Sequence, residues 1–158
     1  MPQLVKGGKH TYGWTQVGDR GRIQLPPDAA EEYGLKHEMK LLLLPGSKKS
    51  GGFGLASQDS FSRTPMTAVL QAHPELANFQ LTEGAVVDYQ GRTFSWVELR
   101  EGVIQVPPGT LERYGVQIGD KLLVIRGSDL ALGFAVRGPI IEEAEKHQGL
   151  AVFEALIE

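Results

Sequence analysis

The stretch from Gly21 to Ser47, GRIQLPPDAAEEYGLKHEMKLLLLPGS, returns from Gly102 to Ser128 as GVIQVPPGTLERYGVQIGDKLLVIRGS. A constant offset of 81 aligns the 27 positions without a gap, and 13 of them are identical. Average residue usage would give roughly one or two. The match runs on through Gly52-Phe53 against Gly133-Phe134. Upstream it resumes at offset 82, where Val5, Thr11 and Trp14 meet Val87, Thr93 and Trp96. The chain is therefore two copies of one unit, with a single extra residue between Trp14 and Gly21. Any fold it adopts must place the same unit twice.

The punctuation of the unit sets its local structure. Arg22-Ile23-Gln24-Leu25 alternates polar and apolar side chains, the period of a strand with one buried face, and Val103 to Val106 keeps the buried positions. Pro26-Pro27 ends that strand, because proline donates no ladder hydrogen bond, and the second proline suits the first turn of a helix. Ala29, Ala30 and Tyr33, matched by Thr110, Leu111 and Tyr114, give a two-turn helix, and Gly34 or Gly115 supplies the left-handed residue that closes it. Lys40 to Leu44 and Lys121 to Ile125 read as buried strands. Pro45-Gly46-Ser47 or Gly127-Ser128 then starts a hairpin returning at Gly52 to Leu55 or Gly133 to Val136.

GRIQLP at Gly21, GVIQVP at Gly102 and YGVQIGDKLLV at Tyr114 resemble the AbrB/SpoVT swapped-hairpin family, whose pattern is close to G-R-I-x-[IL]-P, a short helix, G-[ILV]-x-x-G-D and an apolar strand. The resemblance covers about two thirds of the chain. It implies a mainly β fold with short helices, in which two AbrB-like swapped-hairpin units pair into a pseudo-two-fold β-barrel. Two copies in one chain imply that the halves form internally what relatives form as a homodimer. The corresponding division is a first unit over 1–56, a helical connector over 57–81, a second unit over 82–137 and an acidic amphipathic helix over 138–158.

A 50-residue unit buries too little surface to stand alone, and pairing of the halves supplies the missing core. The 20 glycines and 9 prolines favour many short strands over long helices. Without cysteine the chain has no disulfide, thiolate metal site or cysteine nucleophile. The opening residues MPQLVKGGKHTYGW lack an apolar leader core, and the longest aliphatic run, Leu41 to Leu44, is far too short to span a bilayer. A cytoplasmic protein without membrane contact is expected, either monomer or homodimer.

Net charge is −3, unfavourable for a nucleic-acid binder, since phosphate affinity comes chiefly from Lys and Arg. The distribution is uneven: residues 1–56 sum to +3 and the remainder to −6. In the resembled family, arginines flanking the first strand pair and basic residues near the N-terminus contact DNA. The matching positions are Lys9, Arg20 and Arg22 in the first unit, with Arg92 and Arg100 in the second. Where the first unit has Arg20 and Arg22, the second has Glu101 and Val103. The extra residue before Arg22 suggests a bulge that re-aims Arg20.

The other segments read as support. Leu4 to Lys6 and Lys9 to Val17 suggest a hairpin about Gly7-Gly8, and Val86 to Val97 repeats it about Tyr89-Gln90-Gly91; Trp14 and Trp96 anchor the two as core residues. GSKKSGGFG, from Gly46 to Gly54, invites a phosphate-cradle reading, but it lacks the P-loop spacing and joins two strands, so hairpin geometry explains it better. Thr64-Pro65 reads as a helix start with Met66, Val69 and Leu70 on one face, and Pro74 to Ala77 as a further turn continuing toward Phe79. Pro139 opens a helix with Ile140, Ile141 and Ala144 apolar, and Leu150, Phe153, Leu156 and Ile157 continue at helical spacing after Gly149.

No catalytic set emerges. His10, His37, His73 and His147 share no ligand spacing, no G-x-S-x-G elbow is present, and Glu31-Glu32 faces Glu112-Arg113 in the second copy. Neither an enzyme, a cofactor nor a metal is expected. Two functions remain: a DNA-binding transcriptional regulator acting as a single-chain pseudo-dimer, and a protein-interaction module, antitoxin-like or an assembly scaffold, whose partner contacts lie in 138–158.

Overall fold

The computed structural model describes residues 3–4, 10–36, 38–128, 130–146 and 149–155. The first repeat holds strands β1 (Gln3–Leu4), β2 (His10–Gln16) and β3 (Arg22–Gln24), helix α1 (Pro27–Glu32), and strands β4 (Glu38–Pro45) and β5 (Phe53–Ala56). Three short helices follow, α2 (Gln58–Ser62), α3 (Ala68–Ala72) and α4 (Pro74–Ala77). The second repeat holds β6 (Val87–Tyr89), β7 (Arg92–Arg100), β8 (Val103–Gln105), α5 (Pro108–Arg113), β9 (Lys121–Arg126) and β10 (Leu132–Ala135). Helix α6 (Pro139–Glu145) and strand β11 (Val152–Glu154) complete the described elements. The fold is mainly β, with a nearly closed, barrel-like sheet.

The two copies interleave. Sheet order is β1-β2-β9-β10-β5-β4-β7-β8-β3, so β2 pairs with the second repeat's β9 and β7 with the first repeat's β4. Two registers join residues to their own repeat counterparts: Ile23 faces Ile104 between β3 and β8, and Phe53 faces Phe134 between β5 and β10. Both are what a two-fold axis relating the repeats would produce. The Phe53 and Phe134 rings stack at 4.7 Å on that line. Around them the core is again made of counterparts: Leu41 and Leu122, Leu43 and Val124, Leu25 and Val106 are all buried in one cluster. The main buried cluster draws on both repeats.

Each short helix forms for the same local reason. A proline opens α1 and α5, and a six-to-one hydrogen bond closes each, Leu35 N to Ala30 O at 2.8 Å and Val116 N to Leu111 O at 3.0 Å, around Gly34 and Gly115. Charge fixes the helices to the barrel with opposite signs. Glu32 on α1 accepts from Arg126 and from the Tyr12 hydroxyl, whereas Arg113 on α5 donates to Asp88 and Thr93.

The connector and the last segment cover the outside of the barrel. Phe61, Val69 and Leu76 bury Leu42, Leu44, Phe94 and Trp96, while α6 places Ala144 on Leu123 and Ile125, beside half-buried Trp14. Both tryptophans therefore anchor outer caps rather than the barrel interior. Trp96 donates to Leu81 O at 2.9 Å and packs against Phe79.

Three local expectations are corrected. Ser57 caps α2, with its hydroxyl accepting from Ser60 N at 3.1 Å, and the next helix begins at Ala68. Thr64 instead donates to Phe61 O and accepts from Met66 N, so it shapes a turn. The helix α4 does end at Ala77, because Phe79 turns left-handed (φ 56°) to reach Trp96. Beyond Gly149 the chain does not resume a helix: Val152–Glu154 is a strand paired parallel to β2, whose open edge outweighs helical spacing over so few residues. Of the first hairpin, Gln3 pairs with Thr11 and Leu4 with His10. Its turn at Gly7-Gly8 lies outside the described residues, as do Leu156 and Ile157.

Candidate nucleic-acid interface

The two proline-terminated strands meet as a short antiparallel ribbon, β3 against β8. Ile23 and Ile104 point inward and are fully buried. Alternation then turns Arg22 and Gln24 outward, opposite Gln105 and Val103. The turns leading into the ribbon are stitched across it: Val106 N donates to Gly21 O at 3.0 Å, and Leu25 N to Gly102 O at 2.9 Å. These bonds make the turn backbones part of the barrel.

The two turns differ in shape and charge. Glu101-Gly102 is a two-residue connection between Arg100 and Val103, which pair directly. In the first repeat the extra residue opens this into a 3-10 turn, Asp19–Gly21, closed by Gly18 N donating to Arg22 O at 2.8 Å. The extra residue thus makes a wider turn rather than the bulge its position suggests, and the register shift on β2 lies between Thr11 and Gly13, against β9. Arg20 takes a left-handed conformation (φ 60°, ψ 18°) on this turn and is exposed.

Of the five expected contact residues, Arg20 and Arg22 stand together, two residues apart on the turn and the strand it feeds. Among the described residues neither forms an ion pair. Arg100 lies at the other end of the ribbon and is engaged. Its Nη2 meets Glu83 Oε1 at 3.0 Å and Glu98 Oε1 at 2.8 Å, and its Nη1 donates to Glu83 Oε2 at 3.2 Å. The hydrogen bonds it donates to Glu83 raise the Arg100 pKa further. Arg92 opens the same nine-residue strand that Arg100 closes, so the two are separated by about 26 Å of extended chain. Lys9 lies outside the described residues.

A second cationic group escaped the sequence reading. Arg137 donates to Lys48 O at 2.9 Å, which brings it to the GSKKSGG loop beside Lys48 and Lys49. That loop joins β4 to β5, as hairpin geometry requires, and no helix begins there. The lysine pair was visible in sequence; Arg137, far along the chain, carried no signal linking it to them. The two hairpins enclose a cleft of about 180 Å³ lined in part by Ser47, Ser128, Gly54 and Gly133.

Among the described residues no three of His, Cys, Asp and Glu are grouped to hold a metal ion, and no helix is long and apolar enough to cross a membrane. Searched against protein-family models, curated proteins and solved structures, the chain matches none.

Proposed function

We propose that the chain is a DNA-binding regulator of the AbrB/SpoVT type, a single-chain pseudo-dimer whose DNA face is confined to one half of the β3/β8 ribbon. The observation that carries this reading is the pair Arg20 and Arg22, on a turn and the strand it feeds, neither in an ion pair among the described residues and both on backbone fixed to the barrel. Arg100 contributes little, because two carboxylates already neutralise it. Contact with DNA is therefore one-sided, and a palindromic site has no advantage over a single half-site.

The affinity follows from counterion release. Two phosphate contacts give a slope of log K against log salt of about −2. Fluorescence-anisotropy titration against a mixed-sequence duplex at about 50 and 200 mM salt measures it, beside the Arg20→Ala/Arg22→Ala variant. Binding that weakens roughly tenfold over that range, and that the double variant loses, supports the reading. Absence of binding at the lower salt refutes it.

The second reading, a protein-interaction module, draws on the same ion cluster: a face whose Arg100 is held by Glu83 and Glu98 is better suited to a protein than to phosphate. Removing residues after Arg137 would not test it cleanly. The segment buries Leu123 and Ile125 and flanks Trp14, so its loss exposes an apolar face of the barrel.

A further inference from the structure

The repeat relation makes β2 and β7 equivalent, yet their outer edges are closed in different ways. Beside β7 lies the chain immediately upstream. Gly84 N donates to Trp96 O at 2.8 Å, Ser95 Oγ to Ala85 O at 2.8 Å, and Glu98 N to Glu83 Oε2 at 2.7 Å. The edge of β2 is closed from the far end of the sequence. Trp14 N donates to Ala151 O at 2.8 Å, and β11 continues the pairing, Val152 to Trp14, Phe153 to Thr15 and Glu154 to Gln16.

The acceptor edge is shaped for this strand. Where β7 has Ser95, β2 has Gly13 at φ +111°, and a Cβ there would stand 2.6 Å from Ala151 O. The Phe153 ring lies over the space that glycine leaves, at 3.5 Å from the same position. Fully buried Thr15 donates to Gln24 O at 2.8 Å and faces Phe153 O at 3.4 Å. The occupant is held lightly by comparison: Ala151 and Glu154 are exposed, Val152 is 46% exposed, and Phe153 alone is half-buried. Its pairing to β2 is through backbone, and six residues separate it from α6.

We propose that the β2 edge is a strand-acceptor site for a second copy of this chain, and that two copies exchange β11 reciprocally to form a two-fold dimer. The occupant is committed to by shape: the Gly13 notch and the Thr15 hydroxyl fit residues 151–154 of this sequence, and a second copy brings the identical strand. Reciprocal exchange leaves neither β2 edge open, which is the condition for a closed rather than a fibrous assembly. The tether decides the concentration at which it occurs. A short linker holds its own strand at an effective concentration in the mM range, so exchange grows as the chain approaches about 1 mM. This inference stands apart from DNA binding, since neither Arg20 nor Arg22 takes part.

Because the chain has no cysteine, crosslinking reports the pairing directly. Gln16 and Glu154 are register partners on adjacent strands, a separation a disulfide spans. A Gln16→Cys chain is mixed with an isotopically labelled Glu154→Cys chain, incubated to equilibrium and oxidised at about 10 μM and about 1 mM. Mass spectrometry counts the mixed disulfide. The control adds Phe153→Asp to the second chain, and a single chain carrying both cysteine substitutions reports docking within one molecule. Exchange predicts a mixed disulfide at about 1 mM at least roughly tenfold above both the control and the dilute sample. A yield no higher than the control overturns the proposal. So does failure of the doubly substituted chain to close on itself when dilute, because β11 then does not occupy the β2 edge.

Discussion

Gly21→Ala separates backbone strain from steric exclusion. Gly21 and Gly115 both have left-handed φ, +79° and +76°. A methyl group at Gly115 would meet nothing within 4 Å, whereas at Gly21 it would stand 1.8 Å from Val106 O and 2.9 Å from Val106 C. Gly115→Ala therefore carries the left-handed penalty alone, about 1 kcal/mol. Gly21→Ala adds displacement of the β8 backbone and weakens the Val106 N to Gly21 O bond, for about 4 kcal/mol in all. Urea denaturation measures both. With an m-value of about 2 kcal/mol/M, the Gly21→Ala midpoint should fall about 1.5 M below that of Gly115→Ala, at unchanged m. Midpoints within about 0.3 M of each other would show that the stitched turn yields freely, and the claim that it is part of the barrel would be wrong.

Burial, followed by the Glu32 carboxylate, pushes the Tyr12 phenol up to about 12. The folded chain thus favours the neutral phenol; that stability is complete below pH about 10 and is lost as pH rises through the folded value. Tyr12→Phe should lose stability less steeply than the parent above pH about 10 in denaturant melts, and parallel curves would contradict the assignment. Glu83→Gln keeps an acceptor for the backbone N–H of residue 98, and combined with Glu98→Gln it removes both carboxylates from Arg100, so the salt slope of DNA binding should steepen from about −2 to about −3; no change would remove Arg100 from the face. Residues 1–81 expressed alone lack β9 for β2 and β7 for β4, and circular dichroism and gel filtration should find them unfolded or self-associated. A folded monomer would contradict the shared core.

The repeat, the strand-Pro-Pro-helix-Gly order and the hairpins were legible because each is written in residues with few conformational options. Pro27 and Pro108 open the helices at the expected place, and Gly34 and Gly115 close them. What lay hidden depends on distance along the chain. Glu83 meets Arg100 from 17 residues away and Arg137 meets Lys48 from 89 residues away, so neither the neutralised arginine nor the second cationic group showed in local pattern. The strand β11 was hidden for another reason: three residues are too few for either period to prevail, and the vacancy beside β2 decides. Ser57 was as good a helix cap as Thr64, and propensity alone did not rank them.

The interleaved core also alters what a single mutation does. When a symmetric barrel is assembled from two identical chains, every substitution is made twice, and a change useful on one side is imposed on the other. Here Arg20 and Glu101 occupy one position of the repeat, as do Arg22 and Val103, and Gly13 and Ser95, and the two members of each pair are coded separately. The counterparts that meet at the centre, Ile23 with Ile104 and Phe53 with Phe134, are identical, whereas these three pairs differ. In one chain the contacts on the two-fold line can stay matched while positions away from it are set independently.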